Sequence, residues 1–221
     1  DIVISAMQAN ISSNYPKVAG IVTTVGGKLD EPVNVYFYHR FEEMLRYPHT
    51  ISELQQLKVR GSINKTGISV YTNKEFETCI NADHVDVIQL PFNLLDNFSK
   101  RGSLLKKAKE EGKEIQVRSV FLQGLFFKEL HSLPEYLQPL KPYLSQVKEK
   151  ASLKKLSVYD LALSYALKKK EIDHIIIGVD SIQQLQANLN AAATVLDEEL
   201  EKEIDSIDVT EEELLYPYNW K

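Results

Sequence analysis

The chain is 221 residues long and 43% hydrophobic, with 26 basic against 31 acidic side chains and a formal net charge of −5. Nucleic acid is disfavoured as the main partner, because phosphate binding needs a basic surface; no apolar run nears the ~20 residues of a membrane span; and a single cysteine, Cys79, rules out an internal disulfide or a zinc site built on several thiolates. A soluble globular chain is left, one domain over residues 1–221 with one sizeable core, and since nothing at the start reads as a cleavable signal the expected location is cytoplasmic.

In chain order, DIVISAM (1–7) reads as a short buried strand. Residues 8–32 have no clean period and are rich in turn formers; they read as a loop or as a place from which residues are missing. VNVYFYH (33–39) is the next strand, a run of β-branched and aromatic residues closing on His39 and Arg40. TISELQQLKVRG follows at helical spacing and stops at Gly61. INKTGISVY (63–71) is a strand, and Thr72 stands as N-cap to the helix NKEFETCINA, where Cys79 serves packing. VDVIQLPF (85–92) is a strand, and SLLKKAKEEGK is a helix with a solvated charged face that ends at Gly112. EIQVRSVFL (114–122) and HIIIGV (174–179) complete six strands, with SVYDLALSYALKKK between them capped by Ser157. Ser181 caps one more helix, and residues 197–221 form an acidic helix with a solvated face and a tyrosine-rich tail, LLYPYNW.

Strands alternating with helices predict an α/β fold on a parallel sheet whose strands are buried on both faces. An open doubly wound sheet and a closed eight-strand barrel share that grammar. The open form usually carries a glycine-rich turn after its first strand, and no G-x-G-x-x-G occurs here. The (β/α)8 TIM barrel is therefore favoured, although only six of its eight strands are visible.

In the blocks GISVYTNKEFETCINADHVDVIQLPFNLLD, EIQVRSVFLQGLFF and IIIGVDSIQQLQANL the chain resembles the aldo/keto reductase family, most of all a bacterial branch associated with cell-surface sugar metabolism. The resemblance runs from about residue 33 to the end and is weak before it. It implies a (β/α)8 barrel, represented by strands three to eight, that transfers hydride between NADP or NAD and a small carbonyl substrate without a metal. DIVISAM then matches the third barrel strand and HIIIGV the eighth. His39 matches the histidine of the family's Asp, Tyr, Lys and His tetrad, where it would donate a hydrogen bond to the carbonyl oxygen as negative charge grows there. The tetrad's tyrosine and aspartate belong to the first two βα units, which have no counterpart here. The lysine position falls on Ala6 or Met7, neither of which lowers a phenol's pKa by charge.

The same resemblance assigns Ser69 and Gln89 to the nicotinamide carboxamide, where a hydroxyl and an amide supply the donor and acceptor it needs; Val70 replaces a common asparagine. Arg118 replaces the usual aromatic platform, and Ser119 with Leu122, Gln123 and Gly124 forms the wall beside the pyrophosphate. Ser181 and Asn188 match contacts to the adenosine end, at a helix N-terminus suited to phosphate. Gln184 stands where NADP-preferring members place an arginine, so NADH is expected to serve as well as NADPH. The tail would pack across the barrel and help form the substrate pocket.

Read without the resemblance, Ser69 and Ser119 are ordinary buried hydroxyls and Gln89 a core amide. His49, His84, His131 and His174 are surface or loop residues without ligand spacing. The expected assembly is a monomer or weak homo-oligomer, with no nucleic acid or membrane partner. An alternative of another class is a barrel relative that has lost hydride chemistry and acts as a cofactor-binding or scaffolding subunit. A different phosphate-binding barrel enzyme is disfavoured, because no glycine-rich phosphate loop follows the last two strands.

Overall fold

A computed structural model describes residues 2–4 and 32–220. The reading of residues 8–31, and of Ala6 and Met7, falls outside the described residues. Those described form two compact units, one on 2–4, 91–106 and 117–220, the other on 32–90 and 107–116. The boundary passes through two strands and one helix.

The smaller unit carries β2 (Val33–Tyr38), β3 (Ile63–Ser69), most of β4 (Val87–Pro91) and the start of β5 (Glu114–Arg118), in the order β5-β4-β3-β2. The strands pair parallel, with Tyr38 opposite Ile68 and Ser69 opposite Gln89. Parallel neighbours need crossovers, supplied by α1 (Phe41–Arg46), α2 (His49–Val59) and α3 (Asn73–Ile80). Ile63, Ile68, Val87 and Ile88 are buried with Leu54 and Leu57 of α2 and Phe76, Cys79 and Ile80 of α3. Each such side chain contributes about 1.5–3 kcal/mol by leaving water, and burial pushes the Cys79 thiol up to about 12. Thr72 caps α3 as expected: its hydroxyl accepts from the Glu75 N–H at 3.2 Å, and the Glu75 carboxylate accepts from the N–H groups of Thr72 and Tyr71. Gly61 and Gly112 each take φ +71° just beyond a helix, where a side chain would be strained.

The larger unit holds β1 (Ile2–Ile4), β6 (His174–Ile177), the end of β5, and the helices α5 (Lys141–Leu153), α6 (Val158–Leu167), α7 (Ile182–Ala191) and α8 (Glu198–Asp205); α4 (Phe98–Glu110) starts in it. β1 pairs parallel with β6, Ile2 opposite Ile175 and Ile4 opposite Ile177. This register corrects the placing of DIVISAM as a third barrel strand: the neighbour of an eighth strand in a closed barrel is the first or the seventh. The comparison with a lysine-bearing third strand at Ala6 or Met7 loses its footing with it.

α6 is apolar nearly all round, and Leu161, Ala162, Leu163, Tyr165 and Ala166 are fully buried. Ser157 and Ser181 cap α6 and α7, accepting from the N–H groups of Asp160 and Gln184. The Tyr165 hydroxyl accepts from the Phe98 N–H at 2.9 Å and donates to Asp205. Lys169 lies 4.5 Å from the centres of both the Phe98 and Tyr165 rings and 2.6 Å from Glu201. The acidic segment is thus more than the solvated face expected: Glu201 also pairs with Lys168, Glu203 with Lys150 and Asp208 with Lys100. Lys113, placed by the sequence on a solvated charged face, is buried and donates to the carbonyls of Ala82 and Val85. Among the described residues no helix is long and apolar enough to cross a membrane.

Candidate functional site

In the smaller unit the expected residues converge at the C-terminal ends of adjacent parallel strands, the end at which barrel folds carry their chemistry. The Ser69 hydroxyl, on a residue only 5% exposed, donates to Gln89 Oε1 at 3.4 Å, and the next backbone group along, Val70 N–H, donates to the Gln89 carbonyl at 2.8 Å. This pair sets a hydroxyl and a primary amide side by side on neighbouring strands. His39 follows β2 directly, one residue beyond the last registered pair, Tyr38 opposite Ile68. It is exposed at the strand end, and the next residue, Arg40, begins α1 with its N–H donating to Glu43.

The larger unit offers backbone instead of side chains. Arg118 ends β5, and after it Ser119, Leu122, Gln123 and Gly124 take φ of 60°, 45°, 50° and 78°. Non-glycine residues in the left-handed region cost on the order of 1–3 kcal/mol each, so the surroundings must enforce the shape. The enforcing bonds are present. Leu122 N–H donates to the Ser119 carbonyl and Gly124 N–H to the Phe121 carbonyl, both at 2.8 Å, and Phe92 N–H donates to the Arg118 carbonyl at 3.1 Å. Asn93, fully buried, donates from Nδ2 to the Ser119 carbonyl at 3.4 Å while its Oδ1 accepts from the N–H groups of Leu95 and Asp96. Phe121, with φ −96° and ψ 7°, is followed by left-handed Leu122, and the Leu122 and Gly124 amides are taken up by the loop's own carbonyls. Arg118 adds a cation, its Nη1 3.4 Å from Ser119 Oγ.

An aromatic cluster stands beside this loop. Phe121 stacks on Tyr159 of α6 with ring centres 4.5 Å apart and planes 18° from parallel, and Phe127 lies 5.6 Å from Tyr159. The Tyr159 hydroxyl donates to Asn188 Oδ1 on α7. Ser181 and Gln184 are engaged in capping: the Ser181 hydroxyl accepts from Gln184 N–H at 3.2 Å, and Gln184 Oε1 accepts from Asp180 N–H at 2.7 Å. Both remain exposed at the start of α7.

Two histidines depart from the surface reading. His84 is half-buried with Nε2 3.4 Å from Met44 Sδ, and burial first, then the nearby Lys113 ammonium, holds its pKa below the ordinary imidazole range. His174 opens β6 and is half-buried, whereas His49 and His131 are exposed. Asn93 and Tyr159 are the residues sequence reading missed. Asn93 had a local signal, since an asparagine two and three residues before the amides it accepts from forms an Asx-type turn. Tyr159 had none, because its partner lies 29 residues away.

A sequence profile of the Aldo/keto reductase family matches residues 28–209. A curated relative, L-glyceraldehyde 3-phosphate reductase of Escherichia coli O157:H7, is 24% identical over 185 residues, 73% of this chain and 54% of that protein. The chain thus spans about half the length of that relative. Among solved structures, an aldo-keto reductase from Bacillus halodurans superposes in its apo form with a TM-score of 0.69 at 22% identity, covering 86% of this chain and 67% of that one. Its holo form gives a TM-score of 0.69 at 21% identity, with 86% and 64% covered. These likenesses give the α/β fold type of the parallel strands.

Proposed function

The chain belongs to the aldo/keto reductase family, and from that premise we propose that it serves NAD(P)H-dependent reduction of a carbonyl, an aldehyde, ketone or sugar-like substrate. β2 to β6 are read as the fourth to eighth strands of a (β/α)8 barrel. The observation that carries the proposal is the Ser69–Gln89 pair across neighbouring strands, with His39 just past the end of β2.

The residues present fit a nicotinamide dinucleotide. Ser69 and Gln89 bring together a hydroxyl and an amide, the group types that a carboxamide takes. The Arg118 guanidinium beside the turn of Ser119 and Leu122 to Gly124 suits a pyrophosphate, and the N-terminus of α7 with Ser181 and Gln184 suits the adenosine phosphate. When bound, the dinucleotide supplies the hydride. His39 donates a hydrogen bond to the substrate oxygen, which stabilises the charge that develops as the carbonyl is reduced. Gln184, already committed to Asp180 N–H, gives a 2′-phosphate no cation, so NADH and NADPH are both accepted. The relative's name, a glyceraldehyde phosphate reductase, favours a short sugar aldehyde as substrate.

The test is to titrate the expressed protein with NADH and NADPH and to follow cofactor oxidation with glyceraldehyde and its phosphate. Binding of both cofactors with turnover of at least one aldehyde is expected. Binding without turnover of any aldehyde, ketone or sugar would leave a cofactor-binding subunit in place of a reductase, and no binding at all would remove the cofactor from the reading.

A further inference from the structure

Asn188 is 1% exposed, and its Nδ2 is buried without a hydrogen-bond partner among the described residues, while its Oδ1 is taken by the Tyr159 hydroxyl. A buried amide donor left unmade is costly, and a ligand acceptor would remove that cost. The ring that fixes the amide is also one face of the cluster with Phe121 and Phe127, and Phe127 is 45% exposed, a large apolar ring facing water beside the strained loop. A flat heteroaromatic base combines what these groups lack, a π face for the rings and ring-nitrogen acceptors for the amide.

Resting on the cofactor reading above, we propose that Tyr159 is a positioning residue for the adenine end of the dinucleotide: its hydroxyl holds the Asn188 amide with the oxygen turned inward, so that the amino group is the end offered to the base. Its ring, backed by Phe121, sets the plane along which the base lies with Phe127. Tyr159 acts through Asn188 and touches no reacting atom.

The experiment measures binding of AMP, NADH and reduced nicotinamide mononucleotide to the full chain and to Tyr159→Phe, Asn188→Ala and the double variant, with thermal melting as a control. Tyr159→Phe keeps the stack and removes only the hydroxyl. It should weaken AMP and NADH about tenfold, leave the mononucleotide unchanged, and add nothing on top of Asn188→Ala, because the two side chains act as one unit. A fall in melting temperature with AMP binding intact would mean a purely structural tyrosine and would overturn the proposal, as would losses that add in the double variant. If wild-type protein binds neither AMP nor NADH, the cofactor reading itself fails and takes this proposal with it. If Tyr159→Phe does not fold, Phe127→Ala replaces it: the exposed ring can be removed without touching the core, and unchanged AMP affinity in that variant overturns the stacking role.

Discussion

The strand ends of the smaller unit and the loop after β5 in the larger one make opposite uses of the chain. At Ser69 and Gln89 the backbone is ordinary parallel ladder, and two side chains meet because the register puts their residues opposite each other. At Ser119 to Gly124 the backbone leaves ordinary conformations at four positions, and its own N–H groups and carbonyls hold the turn. The first arrangement costs little and is lost with a side chain. The second stores strain, and its weak point lies elsewhere, in the buried amide of Asn93 that pins it.

Removing that pin should give the largest effect. Asn93→Ala leaves the Ser119 carbonyl and the buried amides of Leu95 and Asp96 without their side-chain partner, and a loss of about 3 kcal/mol in urea unfolding is expected, with cofactor affinity falling as well. Equal stability of the variant and wild type would show that the loop holds its own shape. In the smaller unit Ser69→Ala and Gln89→Ala should separate binding from folding: about tenfold weaker NAD(P)H binding, on the order of 1.4 kcal/mol, with an unfolding midpoint close to wild type. A stability loss as large as that of Asn93→Ala would erase the contrast between the regions.

Gly124→Ala comes next. A Cβ there would meet only Phe127 Cδ2 at 4.0 Å, so the cost is conformational, about 1 kcal/mol at φ +78°. Gln123→Gly, at an exposed left-handed position, should stabilise by a similar amount, and a destabilised Gln123→Gly would show the strain argument to be wrong. The smallest effect is one of pH. The His84 imidazole is held below its ordinary value by burial and then by Lys113, so the unfolded chain takes up the proton first as pH falls. The stability it confers is present above the unfolded value, near pH 6.5, and is lost as pH drops through the folded one. Comparing His84→Gln with wild type across that window should show a flatter stability profile in the variant.

Much of this was legible in the residues. The six strands, the caps at Thr72, Ser157 and Ser181, and the helix stops at Gly61 and Gly112 each have a local cause, periodicity or capping chemistry, and the structure has them all. The neighbour of DIVISAM was not legible, because strand pairing is a long-range choice among runs of similar composition, and β1 joins β6 across more than 170 residues. Lys113 was misread for a related reason: a lysine among charges looks solvated until the carbonyls of Ala82 and Val85 close over it. Ser69 and Gln89 were singled out only by the resemblance, and that their side chains meet comes from the strand register. The left-handed run at Leu122 and Gln123 left no trace, since neither residue type favours that region.

Cys79 also provides a clock. A thiol with no exposed surface and a pKa near 12 stays silent toward alkylating and disulfide reagents while α3 is seated. Reagent uptake by the lone thiol therefore counts the moments at which that helix lifts from the sheet, and its rate gives the opening free energy of the smaller unit at one site, with no label to introduce.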